Sequence, residues 1–125
     1  MIPLEEILEL HNKSIIDFGG SHGVRDLGLL ESAIARPFQT SEVNELYHTD
    51  FEKAAALGES LIVSHPFVDG NKRTRTLAMV SFLMNAGYKF TATPDSLYNF
   101  IINISTRAIG FDKIAQWFEE NAVKI

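Results

Sequence analysis

The strongest constraint on what this chain can fold into is a helical period that persists through most of its length. Leu4, Leu8, His11, Ile15 and Phe18 step by four, three, four and three residues, which lays them on one face of a helix that begins near Pro3 and is stopped by Gly19-Gly20. Asp26 is placed to cap a shorter helix through Leu29, Leu30, Ala33 and Ile34, which ends before Pro37. From Asp50 onward, Phe51, Ala54, Ala55, Gly58, Leu61 and Ile62 define a third helix, and the same stripe continues onto His65, where Pro66 disfavours helical geometry. A fourth helix runs from Asn71 to Asn85, with Gly87 just past its end. Its body, residues 77–84, is apolar on nearly all sides, which predicts that it is the central helix, surrounded by the others.

Residues 88–93 read as an extended connector, and two further amphipathic helices follow, at about 94–106 and 111–121. Residues 36–49 carry Pro, Gln, Thr, Ser and Asn with no helical period, which marks a long loop or flap with room for a short strand. The expected fold is all-α, a compact bundle of about six helices. No repeat, low-complexity tract or linker divides it, so residues 1–125 are expected to form one domain.

A chain of 125 residues that is 46% hydrophobic can bury a core without disulfides or metals. It has no cysteine, which removes disulfide frameworks and thiolate metal sites. His22 and His48 have no ligand spacing between them, so zinc is not expected. The start, Met1-Ile2-Pro3-Leu4-Glu5-Glu6, is acidic where a secretory signal is basic, and the expected location is cytoplasmic. The longest apolar run, residues 77–84, is far short of the roughly 20 residues a membrane helix needs, so no membrane partner is expected. A formal net charge of -5 argues against direct nucleic-acid binding. The bases that exist are concentrated, however: Lys72, Arg73 and Arg75 fall together at the start of the fourth helix.

That placement is electrostatically unfavourable, because the first turn of a helix already carries partial positive charge. It becomes favourable when an anion binds there, and a phosphate facing free backbone N–H groups is the common solution. Gly70 lets the backbone approach such a ligand, and Arg73 can offer a two-pronged fork. His65 supplies a group that can exchange a proton, and Asp69 a hard oxygen ligand suited to Mg²⁺ beside phosphates. Singly, His65 could finish a buried helix face, Asp69 could be an N-cap, Asn71 a turn residue, and Lys72 and Arg73 solvated surface. Together they contain the parts that phosphoryl or nucleotidyl transfer requires. His11, on the apolar stripe of the first helix, reads as a hydrogen-bonded core histidine.

The run His65-Pro66-Phe67-Val68-Asp69-Gly70-Asn71-Lys72-Arg73 resembles the signature of the Fic/Doc family, and specifically its death-on-curing branch. The resemblance extends to Leu10-His11, Gly19-Gly20, the stretch from Gly23 through Arg25-Asp26 to Ala33, and Arg36-Pro37. It implies the family's helical fold, with the site loop between two core helices and residues 36–49 as a flap that aligns a target segment, Phe38, Gln39 and Thr40 among them. It further implies His65 as general base on a target hydroxyl, Asp69 as the Mg²⁺ ligand, and Gly70, Asn71, Lys72 and Arg73 around the phosphates of ATP. Adenylylating members have a glycine where Lys72 stands and a second arginine where Thr76 stands, with Arg75 here one residue early. Death-on-curing toxins share the lysine, which implies a kinase moving the γ-phosphate of ATP to a Ser or Thr hydroxyl of elongation factor Tu and so blocking translation. The runner-up is protein adenylyltransfer, and the alternative of another class is a non-catalytic module that holds a nucleotide or partner.

Many family members carry an inhibitory Ser/Thr-x-x-x-Glu-Gly/Asn motif. The nearest match, Ser41-Glu42-Val43-Asn44-Glu45, is followed by Leu46 and lies in the expected flap. Inhibition is therefore expected in trans, from a Phd-like antitoxin whose C-terminal segment folds into a groove near the site.

Overall fold

The computed structural model describes residues 1–106 and 109–125. Six helices make up most of it. Helix α1 (Leu4–Phe18) follows the extended Pro3 and ends at Gly19, whose φ of 86° an L side chain rarely adopts. Helix α2 (Leu27–Ala35) starts where the Asp26 carboxylate accepts the Leu29 N–H at 3.0 Å, and a 3-10 turn, Arg36–Phe38, closes it. Helix α3 (Asp50–Ser64) is capped by Thr49, and α4 (Asn71–Asn85) begins after Gly70. Helices α5 (Pro94–Ser105) and α6 (Phe111–Asn121) complete the bundle.

The expected flap contains order of its own. Strands β1 (Thr40–Ser41) and β2 (Asn44–Glu45) pair antiparallel, with Thr40 opposite Glu45. Residues 88–93, read from sequence as a bare connector, hold strand β3 (Tyr88–Phe90), which pairs with β4 (Ala122–Lys124) at the chain's other end. A three-residue strand carries too little alternation to be recognised before its partner is known.

The central helix is α3, not α4. From Lys53 to Gly58 every residue of α3 is buried, and α3 packs against α2, α4, α6 and the 3-10 turn. Its run of Ala54, Ala55, Ala56 and Gly58 explains this, because small side chains let helices approach on several sides; a Cβ on Gly58 would collide with the thioether of Met79 on α4. Helix α4 leaves Leu77 38% and Met84 59% exposed, so its apolar outer side faces solvent. Phe18 departs from expectation in the same way, at 73% exposed, because the last turn of α1 runs past the core.

The core joins Ile7, Leu30, Leu57, Leu61, Phe67, Met79, Leu83, Ile104, Ile114 and Phe118. Phe100 and Trp117 stack at 3.9 Å between centroids and tie α5 to α6. Among the described residues no helix is long and apolar enough to cross a membrane.

Candidate active site

The site is built where α3 stops and α4 starts. Pro66 bars helical geometry at His65, and His65 takes a left-handed conformation, φ 49° and ψ 57°, that ends α3. The five residues from Pro66 to Gly70 then turn the chain into α4. Phe67 sinks into the core at 1% exposure and anchors this turn, leaving Val68 and Asp69 exposed.

Asn71 holds the turn together from inside. Its Oδ1 accepts the Phe67 N–H at 3.1 Å, and its Nδ2 donates to the Phe67 carbonyl at 3.0 Å and to His65 Nδ1 at 3.2 Å. The side chain, 7% exposed, is thus engaged within the loop. What Asn71 can offer a phosphate is its backbone N–H. The first intrahelical bond of α4 runs from Thr74 N to Gly70 O, so the N–H groups of Asn71, Lys72 and Arg73 have no acceptor one turn back.

His11 supports the loop from below. Its ring stacks on Phe67, centroids 3.9 Å apart and 8° from parallel, and its Nε2 donates to the Asp69 carbonyl at 2.7 Å. The core-histidine reading holds, with a consequence the sequence did not show: the buried His11 ring sets the height of Asp69.

Asp69 is gripped by backbone. Its Oδ2 accepts the Ser21 N–H at 3.1 Å and its Oδ1 accepts the Gly70 N–H at 2.8 Å. The Ser21 bond first, then the Gly70 bond, hold its carboxyl below the usual carboxylate range, with smaller help from the charges of Arg73 and His11. The same carboxylate explains Gly19-Gly20 beyond a helix stop. A Cβ on Gly20 would lie 2.6 Å from Asp69 Oδ2 and 3.2 Å from Arg73 Nη2, so only glycine fits beneath the site. Arg73 in turn donates from Nη2 to the Gly19 carbonyl at 2.7 Å, and its guanidinium carbon stands 5.9 Å from the Phe18 ring centroid.

His65, Asp69, Gly70, Asn71, Lys72 and Arg73, with Val68, line one open cavity of about 340 Å³. The six loop positions singled out in the sequence therefore converge. The flap positions do not line this cavity. Phe38 sits in the 3-10 turn with its ring 6.1 Å from that of Phe82, Gln39 pairs through its carbonyl with the Leu46 N–H, and Thr40 belongs to β1.

The flap is tied to α3 by charge. Arg36 spans the Tyr47 hydroxyl at 3.2 Å and Glu59 at 2.9 Å, while Lys53 donates to the Tyr47 carbonyl at 3.0 Å and pairs with Glu45 at 3.6 Å. Tyr47, and to a lesser degree Glu59, raise the Arg36 pKa further above its ordinary value.

Sequence reasoning assigned no role to Arg25. Its Nε donates to the His65 carbonyl and its Nη2 to the Ser64 carbonyl, each at 2.7 Å. The segment around it straps the loop: Arg25 N and Asp26 N donate to the Pro66 carbonyl at 2.7 and 3.1 Å, and Val68 N donates to the Gly23 carbonyl at 3.1 Å. The helix-capping signal of the next residue, Asp26, was the local hint that this segment has a fixed shape.

Among the described residues no three His, Cys, Asp or Glu side chains gather around a point. A cation here would have one protein carboxylate, Asp69, each of whose oxygens accepts one backbone N–H and keeps a free lone pair. That suits Mg²⁺, which is commonly held by one or two carboxylates with phosphate oxygens and water completing the shell.

Residues 1–83, which include every loop position above, match the profile described as the Fic/DOC family. The chain is 41% identical over 102 residues to "Toxin Doc" of Mycolicibacterium smegmatis, covering 80% of this chain and 78% of that protein. It is 35% identical over 104 residues to "Protein adenylyltransferase Fic" of Drosophila grimshawi, covering 70% of this chain and 21% of that protein. The Drosophila yakuba protein of the same name is 32% identical over 115 residues, covering 78% of this chain and 23% of its own length. The chain belongs to the Fic/DOC family.

Proposed function

We propose that this protein is the toxin of a toxin–antitoxin pair and transfers the γ-phosphate of ATP to a Ser or Thr hydroxyl of a protein, elongation factor Tu by family resemblance. The observation that carries the choice of group is Lys72. It stands exposed in the first turn of α4 beside Arg73, lining the same cavity as His65 and Asp69. A lysine there fills space that a glycine would leave for backbone contact and adds a full charge to an already positive helix end, which changes how a triphosphate can lie. The second arginine of the adenylylating pattern has no counterpart in the cavity, since Arg75 is buried at 6% exposure and Thr76 is not among the lining residues. The relative named Toxin Doc supports the toxin reading.

In this reading the free N–H groups of Asn71, Lys72 and Arg73, with the Lys72 and Arg73 side chains, hold the phosphates. Asp69 holds Mg²⁺, which when bound supplies charge neutralisation. The target hydroxyl oxygen forms a bond to the γ-phosphorus, the bond from that phosphorus to the β–γ bridging oxygen breaks, ADP leaves, and the hydroxyl proton passes to His65. Because Asn71 donates to Nδ1, the neutral His65 ring at rest carries its proton on Nε2. It takes a second proton at Nδ1 once the ring turns away from Asn71. That costs one long hydrogen bond, about 1 kcal/mol, and exposed side chains make such turns in nanoseconds or less.

Inhibition in trans by an antitoxin is part of the same proposal. Ser41-Glu42-Val43-Asn44-Glu45, the nearest match to the inhibitory motif, lies in the exposed β1–β2 hairpin. Beside the site lies an apolar groove of about 260 Å³ lined by Ser14, Phe18, Leu77 and Ile101 together with Lys72, Arg73 and Thr76. It suits the amphipathic C-terminal segment of a Phd-like antitoxin.

The second reading, adenylyl transfer, is favoured by the Drosophila relatives named protein adenylyltransferases, of which this chain spans about a fifth. Incubating the protein and elongation factor Tu with α- or γ-labelled ATP decides between the two. Label on the target from the γ position alone is expected. Transfer of the α label would sink the kinase reading and install the second.

A further inference from the structure

We infer that Arg25 is a positioning residue for His65, holding the base in its left-handed turn through a two-pronged grip on the end of α3. The proposal rests on the reading of His65 as the proton acceptor. Non-glycine residues occupy the left-handed region at a cost, and they persist there only when the surroundings impose it. His65 is one of two such residues among those described, the other being Glu42 at the tip of the hairpin. Something must hold it, and Pro66 only excludes the helical alternative.

The guanidinium supplies the missing constraint. One edge of Arg25, Nε and Nη2, meets the carbonyls of Ser64 and His65 together, each at 2.7 Å. These are the last acceptors of α3, left without intrahelical donors, and the negative end of the helix favours a cation beside them. Arg25 is itself fixed, because its own N–H and that of Asp26 bind the Pro66 carbonyl and the Asp26 side chain caps α2. A rigid fork on the carbonyls of residues 64 and 65 restrains the rotation of the peptide that carries the imidazole. The ring then lines the cavity from a fixed backbone, its Nδ1 resting on Asn71 until the ring turns to accept the proton. Lysine cannot reproduce this, since a single ammonium has no two parallel N–H groups in one plane.

The test uses the full chain, wild type beside R25M and R25K, with three measurements: γ-phosphate transfer to elongation factor Tu from ATP, thermal unfolding, and ¹⁵N NMR of the His65 ring. The expected result for R25M is a kcat reduced about tenfold to a hundredfold, the size that ångström-scale misplacement of a catalytic group produces. KM for ATP stays within about twofold, because no phosphate-binding group has moved. The His65 Nδ1 signal shifts toward that of a free imidazole as its bond to Asn71 is lost, and R25K recovers part of kcat through one carbonyl. An R25M protein with kcat within twofold of wild type and unchanged His65 signals overturns the proposal. So does a loss of kcat that follows the fall in unfolding temperature while the His65 signals stay fixed, which is the behaviour of a mere helix cap. Should R25M fail to fold, R25K decides on the same ring signals. If wild type transfers no label at all, the proposed function fails, and the ring signals of the variants still determine whether Arg25 holds His65.

Discussion

His11 Nε2 donates to the Asp69 carbonyl at 2.7 Å across a separation of 58 residues, while the His11 ring lies flat on Phe67. One buried imidazole thus fixes both the anchor of the site loop and the backbone of the carboxylate proposed to hold Mg²⁺. His11→Phe keeps the stacking surface and deletes the bond. We expect a loss of about 1–1.5 kcal/mol, the usual net worth of a hydrogen bond. Circular dichroism should then show unfolding several degrees lower, and transfer should fall more than stability does, because Asp69 is no longer held at its height.

The space beneath Asp69 belongs to Gly20. A methyl group there would meet Asp69 Oδ2 at 2.6 Å and would have to adopt a φ of 117°. Gly20→Ala should cost about 1–3 kcal/mol in strain alone and displace both Asp69 and Arg73. Gly28→Ala is the contrasting variant, since its Cβ would meet only Asp26 Oδ1, at an ordinary 3.4 Å, within a helix. It should raise stability by up to about 1 kcal/mol and leave transfer unchanged. Equal effects of the two substitutions in urea unfolding and transfer assays would count against this account.

Asp69 also sets an acid dependence. Its carboxyl is lowered by the Ser21 and Gly70 N–H groups, so the folded state releases this proton more readily than the unfolded chain does. Its contribution to stability is therefore complete above the ordinary aspartate value of about 3.9 and disappears as pH falls through the lower folded value. Asp69→Asn cannot make that contribution at any pH. Urea midpoints of the two proteins should differ at pH 6 and draw together below about pH 4.

Lys72 offers a test of function set against stability. Without a bound anion its charge opposes the positive end of α4. Lys72→Gln should therefore stabilise the nucleotide-free protein by about 0.3–1 kcal/mol. The same change should weaken ATP binding by roughly tenfold or more, the loss expected for one charge-assisted hydrogen bond. Calorimetry and thermal unfolding on one preparation read both, and a variant destabilised without ligand would contradict the electrostatic argument.

Lys53 bears on the flap. Its side chain is 9% exposed, and its partners, the Tyr47 carbonyl and Glu45, both lie in the flap segment. Lys53→Met should change global stability by less than about 1 kcal/mol, since its partner Glu45 is exposed and stays solvated when the pair is lost. Amide exchange of Leu46, which donates to the Gln39 carbonyl, should nevertheless accelerate, because the hairpin loses its tie to α3. KM for the protein substrate should rise while KM for ATP holds; exchange rates equal to wild type would show that the tie carries no weight.

Local chemistry made much of this legible in advance. Steps of three and four residues, together with caps and stops such as Asp26, Pro66 and Gly87, located the six helices of the described residues, because burial of one face imposes that period and chain chemistry sets the ends. The loop from His65 to Arg73 was readable for the same kind of reason: cations in a first turn need an anion, and that argument requires only neighbours in sequence. Tertiary structure decided what depends on distant partners. Periodicity identifies an apolar face but not what covers it, so the central position of α3, the exposed side of α4 and the exposed Phe18 appeared only on assembly. The pairing of 88–90 with 122–124 and the tie from Lys53 to the flap are likewise contacts between segments that carry no mark of each other. The grip of Arg25 on His65 crosses 40 residues, and an exposed arginine looks the same in sequence whether it waits in solvent or closes the end of another helix.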